Sequence, residues 1–111
     1  MITTHVLDTS IGRPAAGIAV TLERRDGAAW TSIGAASTDA DGRVRALVPG
    51  DPAPRPGHYR LTFAVAAYYK ARGVTPFYPE VAVVFDVQAP DQHYHVPLLL
   101  SPFGYSTYRG S

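Results

Sequence analysis

The sequence contains no cysteine. That absence excludes a disulfide framework, a thiolate zinc site and a cysteine nucleophile, and it is compatible with any redox compartment. Charge is sparse and balanced: ten Lys and Arg against nine Asp and Glu leave a formal net charge of +1. No basic cluster exceeds the pair Arg24-Arg25. Nothing therefore tracks a phosphate backbone, and no nucleic-acid partner is expected. No apolar run approaches the roughly 18 residues of a membrane span, so no membrane partner is expected either. The opening residues, MITTHVLD, lack the charged-then-apolar pattern of a signal peptide. The expectation is a soluble, cytoplasmic protein.

What the sequence has is turn residues and β-formers. Ten glycines and ten prolines are spread along 111 residues, a length that suits one domain over residues 1–111 with a core of its own. Turn signals recur at Ile11-Gly12-Arg13-Pro14, Asp26-Gly27, Asp41-Gly42, Pro49-Gly50-Asp51-Pro52 and Arg55-Pro56-Gly57. Short β-favouring runs lie between them, which predicts an all-β sandwich or barrel. Strands are expected over Thr3–Asp8, Ile18–Arg25, Trp30–Ser37, Arg43–Val48, Tyr59–Val65, Glu80–Val87, His93–Leu100 and Tyr105–Tyr108. One helix is expected over Ala64–Arg72, where alanines are frequent and Gly73 stands at the C-cap position. The stretch PGDPAPRPG, residues 49–57, reads as a long loop between strands.

Alternate residues of a strand share a face. In residues 93–100 the even positions, Tyr94, Val96, Leu98 and Leu100, form a core face. The odd positions, His93, His95, Pro97 and Leu99, are half polar and half apolar. Such a mixed face suits neither bulk water nor a core, and it is the kind that contacts a ligand or another subunit. Pro97 lacks an amide hydrogen, so its ladder position must tolerate a missing donor. In the first strand His5 shares its side with Thr3 and Leu7. In the last, Ser106 and Tyr108 share one side and Tyr105 and Thr107 the other.

Against this stands the bland reading, in which His5 and His95 are solvated surface histidines. His58, after a Pro-Gly turn, and His93, at the entrance of its strand, are read that way, with a supporting role as the alternative for His93. His-x-His on a strand is an arrangement zinc can use. Here no carboxylate stands at a helpful spacing, and no metal is expected. Asp8 falls on the other face from His5, and Asp39 and Asp41 read as turn residues. Trp30, Tyr68, Tyr69 and Phe77 read as packing groups.

The closing run HYHVPLLLSPFGYSTYRGS, residues 93–111, resembles the signature of the 5-hydroxyisourate hydrolases, the enzymatic relatives of transthyretin. THVLD (4–8), GRPAAG (12–17), TDADGR (38–43) and FYPE (77–80) match the same family in order and spacing. The resemblance spans nearly the whole chain. It implies a transthyretin-like (prealbumin-like) β-sandwich of seven to eight strands with one short helix. It also implies a homotetramer, a dimer of dimers, with active sites in the channel between the dimers; the mixed face would line that channel. Carried over residue by residue, the catalytic group is His5, Arg43, His95, Tyr108 and Ser111, with Arg109 and Gly110 joining His5, Arg43 and Tyr108 in binding substrate. No cofactor is implied.

The reaction so implied is hydrolytic opening of the six-membered ring of 5-hydroxyisourate, a product of urate oxidation. Water must lose a proton, the carbonyl oxygen's developing charge must be stabilised, and the leaving nitrogen must gain a proton. His5 or His95 suits the proton transfers. Arg43 offers a planar fork of donors for oxyanions, and Tyr108 a hydrogen bond and a ring to cover the purine plane. Ser111 brings a hydroxyl and, as the final residue, a carboxylate expected to pair with Arg109 or a histidine. The rival readings are a non-catalytic carrier with the same channel and an accessory β-sandwich. In the hormone carrier these positions hold non-catalytic residues, so His5, Arg43, His95 and Tyr108 together favour the enzyme.

Overall fold

A computed structural model describes residues 1–50 and 52–111; Asp51, inside the expected 49–57 loop, lies outside the described residues. Among the described residues nine strands and one helix follow in the order β1 (Ile2–Asp8), β2 (Arg13–Pro14), β3 (Ala19–Asp26), β4 (Ala29–Ser37), β5 (Arg43–Val44), β6 (Gly57–Phe63), α1 (Val65–Lys70), β7 (Val81–Val87), β8 (Tyr94–Ser101) and β9 (Gly104–Thr107). Seven of the strands run four residues or more. One sheet has the order β2-β1-β8-β9, with β5 also on the free edge of β1; the other has the order β4-β3-β6-β7. The two sheets pack as a sandwich, one of the two all-β forms that the turn spacing left open and the one the resemblance implied.

The core follows the alternation of the strands. Val6, Val20, Leu22, Leu61, Phe63 and Leu98 are fully buried between the sheets. Each such side chain contributes about 1.5–3 kcal/mol, so the inward faces dominate the stability of the domain. Among the described residues, no helix is long and apolar enough to cross a membrane.

Helix α1 is shorter than the expected Ala64–Arg72, covering Val65–Lys70. Six residues cannot hold a helix by propensity alone. Burial of Val65, Tyr68 and Tyr69 holds this one, and Ala64 at its start donates its amide to Ala19 O at 2.9 Å instead of offering a side-chain cap. Gly73 closes it as expected, at φ +72 with Gly73 N–H on Lys70 O and Val74 N–H on Tyr69 O. That bond pair is the Schellman ending that favours glycine.

Three elements depart from the sequence reading. The strand expected over Arg43–Val48 ends at Val44, because the chain then turns so that the Leu47 carbonyl packs directly on Gly34 of β4. The Ile11–Pro14 turn carries the unexpected strand β2, which pairs at Leu7↔Pro14 and Asp8↔Arg13. It is two residues long and sits at a sheet edge, where a proline's missing donor is tolerated. The weak alternation of β4 has a cause as well. Leu22 pairs with Gly34 but Glu23 with Ser32, so Ile33 is an extra residue that shifts the period.

Candidate active site

Strands β1 and β8 run parallel, an arrangement that places residues some 90 positions apart side by side. Thr3 pairs with His95, His5 with Pro97, and Leu7 with Leu99. Strand β5 adds Arg43 opposite His5 on the other edge of β1. Paired residues point to one face of a sheet. Thr3, His5, Arg43 and His95 therefore share the outer face, while Val6, Val96 and Leu98 point into the core.

The turn TDADGR delivers Arg43 to that face. The Asp39 carboxylate Oδ1 accepts from Asp41 N–H and Arg43 N–H, both at 2.9 Å, and the Asp39 amide donates to Arg43 O at 2.9 Å. The bond from the Arg43 amide is the main reason the Asp39 carboxyl titrates below its usual range. Gly42 is required twice. It adopts φ +74, and its backbone runs so close to β1 that a Cβ would collide with the Val6 carbonyl. Asp39 thus plays the turn role expected of it.

The far edge of β8 carries the C-terminal segment. Strand β9 pairs as Leu98↔Thr107, and the ladder closes again at His95↔Gly110 in the same register. Between them, Pro97 has no N–H to give to the position of Tyr108, and the ladder opens there. The Thr107 hydroxyl bonds the Pro97 carbonyl at 2.7 Å and holds the segment across the gap. Gly110 donates its amide to His95 O at 2.8 Å. Its Cα lies so near the His95 ring that a Cβ would come within 2.7 Å of Cδ2.

These placements form a cavity of about 320 Å³ lined by Thr3, Arg43, Arg45, His93, His95 and Ser111, among others. The size suits a small organic molecule. Its charged side chains are cationic or titratable to cations, which suits an anionic or oxyanion-forming ligand. His95 is half-buried. Its pKa lies below the ordinary value, first because burial disfavours the imidazolium and then because His93, Arg43 and His5 stand close.

The structure thus brings Arg43, His95 and Ser111 together, with Gly110 packed on the His95 ring and His5 one ladder step away. It does not bring Tyr108 or Arg109 to this cavity. Both line a neighbouring groove of about 270 Å³ with Val83, Val84 and Tyr94, which His95 also borders. The Arg109 guanidinium stacks on the Tyr94 ring at 4.6 Å and donates to Gln92 Oε1 at 3.0 Å. It is engaged there rather than with Ser111, because register with β8 turns its side chain to the face opposite His95. Sequence reasoning missed Thr3, whose hydroxyl lies 2.7 Å from His93 Nε2 and 2.8 Å from His95 Nδ1. The available signal was its place two residues before His5 on the same face. His93, read as a surface group, is exposed but joined to His95 through Thr3.

The model of the HIUase/Transthyretin family matches residues 2–110. A 5-hydroxyisourate hydrolase of Caulobacter vibrioides is 49% identical, the match covering 99% of this chain and 97% of that one. A 5-hydroxyisourate hydrolase of Mus musculus is 45% identical over 99% of this chain and 94% of its own. Among solved structures, the 5-hydroxyisourate hydrolase of Klebsiella pneumoniae superposes with a TM-score of 0.86 at 33% identity, covering 99% of this chain and 98% of that one. Transthyretin from Sparus aurata superposes with a TM-score of 0.87 at 35% identity, covering 98% and 95%. Backbone shape alone therefore does not separate the two kinds of relative; the side chains on the outer face must.

Proposed function

The chain belongs to the HIUase/Transthyretin family, and we propose from that premise that it hydrolyses 5-hydroxyisourate, opening the ring in urate breakdown. One observation carries the reading within the fold: Arg43, His95 and Ser111 converge on one cavity beside His5. A carrier has no need of that polar set. The product is 2-oxo-4-hydroxy-4-carboxy-5-ureidoimidazoline, and the step is a plain hydrolysis. The oxygen of water bonds to a ring carbonyl carbon, the carbon–nitrogen bond breaks, one water proton goes to an imidazole, and the nitrogen leaves with a proton. His5 and His95 handle these protons. Arg43 faces the developing oxyanion, where a preorganised cation is worth most.

The same reading includes a homotetramer with the site in a channel between dimers. Two features support it. The outer face of the β1–β8 sheet holds half-buried Leu7 and Leu99 with no layer of the described residues over it, and exposed Ile11 and Phe103 flank its end. Strands β7 and β9 each stand at a sheet edge with unpaired backbone groups, the natural place for a second copy to add strands. In such an assembly Tyr108, 57% exposed here, would meet a neighbouring copy's site. Sedimentation should give a tetramer.

The test of the activity is rapid-mixing absorbance. Urate oxidase generates 5-hydroxyisourate in place, and its decay is followed with and without the protein. Faster decay that disappears in His95→Ala is expected. A folded protein that leaves the decay rate unchanged would move the reading to the carrier.

A further inference from the structure

The Thr3 hydroxyl touches two imidazoles at once, at 2.7 Å to His93 Nε2 and 2.8 Å to His95 Nδ1. A hydroxyl has one proton to give. At most one histidine therefore accepts from Thr3, and with the hydroxyl hydrogen placed on that ring the other donates to the oxygen. The His95 side chain is half-buried among His5 of β1, Arg43 of β5 and its own neighbour His93, so it resists a positive charge. His93 is exposed to water. Both neutral rings also keep the usual Nε2–H tautomer in one direction only: His93 Nε2–H donates to Thr3, and Thr3 O–H donates to His95 Nδ1. His95 Nε2, without a protein partner among the described residues, then carries a hydrogen.

We infer that His93, Thr3 and His95 form a proton relay that ends in a donor, His95 Nε2–H, serving the leaving nitrogen, and that His5 is the base that takes the proton from water. This rests on the hydrolase reading above and settles the division of labour between the two imidazoles. The step balances. His95 Nε2–H passes its proton to the nitrogen as the carbon–nitrogen bond breaks. Thr3 passes its hydroxyl proton to His95 Nδ1, and the Nε2 hydrogen of His93 replaces it as His93 Nδ1 takes a proton from water. His95 stays neutral throughout and only exchanges tautomer, so no imidazolate forms. The resting tautomers return when His95 Nε2 takes a proton from water as its Nδ1 hydrogen passes back through Thr3 to His93 Nε2 and His93 Nδ1 gives its proton to solvent; His5 releases the proton it took from the attacking water. Of the imidazoles on this face, His5 is the one whose ring nitrogens are free of protein hydrogen bonds among the described residues, as a base requires. Thr3 and His93 act through His95 and are positioning residues.

Two measurements test this, the first independent of activity. Imidazole nitrogen NMR of the ¹⁵N-labelled wild type near neutral pH should show His95 protonated at Nε2 and bare at Nδ1. A proton on Nδ1 would overturn the relay even in a fully active enzyme. The second is kinetic and needs an active wild type; its inactivity would count against the hydrolase reading and leave the NMR arm standing. Thr3→Val keeps the shape and removes the hydroxyl. It should lower kcat roughly tenfold or more, the scale of one lost hydrogen bond, with KM changed less than about threefold. Thr3→Ser should restore kcat to within about threefold of wild type. His93→Gln keeps an N–H for Thr3 but supplies no proton, so it should match Thr3→Val in kcat. Wild-type kcat in Thr3→Val or His93→Gln would refute the relay.

Discussion

Gly110→Ala isolates the role of the C-terminal segment. The added methyl would stand 2.7 Å from His95 Cδ2 and 3.1 Å from Pro97 Cγ. Neither neighbour yields easily: Thr3 holds the His95 ring at Nδ1, and the proline ring is rigid and buried. The segment itself must move. Moving costs the Gly110 N–H bond to His95 O, about 1 kcal/mol. Staying docked costs the overlap, about 1–3 kcal/mol. A penalty of about 2 kcal/mol reduces the docked fraction relative to the released one roughly thirtyfold. Residues 108–111 contain no buried side chain, so releasing them leaves the core untouched. With release costing about 1 kcal/mol in the wild type, the docked fraction falls about fivefold, so the expected result is a loss of roughly fivefold in kcat/KM in the coupled urate oxidase assay, with a calorimetric Tm within about 3 °C of wild type. An unchanged kcat/KM would show that the docked segment is not part of the site. A large fall in Tm would refute the claim that the strain is local.

Other substitutions probe different parts of the argument. His5→Ala, Arg43→Ala and His95→Ala should each cut turnover by about two orders of magnitude or more while circular dichroism stays native; a wild-type rate in any of them removes that residue from the site. Gly34→Ala forces a methyl onto the Leu47 carbonyl and should lower Tm by roughly 5–12 °C, read by calorimetry, with kcat preserved. The lowered pKa of His95 fixes the sign of one pH effect. The unfolded chain takes up that proton near 6.5, before the folded chain does, so this contribution to stability is whole above pH 6.5 and is lost as pH falls toward the lowered value. Tm should fall through that window, and His95→Gln should flatten part of the slope.

Much of this protein was legible in its residue order. Alternation and turn residues identified an all-β sandwich or barrel, because a period of two and a positive φ are local properties, and the family resemblance chose the sandwich. Gly73 marked the helix end, and Asp39 with Gly42 marked the turn that carries Arg43, for the same reason. The mixed face of residues 93–100 was visible as a pattern that fits neither water nor core. The Arg43, His95 and Ser111 positions came from the closing motif and TDADGR.

The rest depended on which strands meet, and in what register. Local periodicity says nothing about pairing between β1 and β8, whose partners are about 90 residues apart. That parallel register alone brings Thr3 to His95 and makes a hydroxyl the link between two histidines. Likewise, Arg109 and His95 could be assigned to opposite faces only once the final ladder closed at His95↔Gly110. The extra residue Ile33 blurred the period of β4 because a bulge is defined by the partner strand, not by its own sequence. Sequence by itself determined the elements and the chemistry they carry; tertiary structure decided which side chains share a cavity, because strand register depends on contacts across the whole chain.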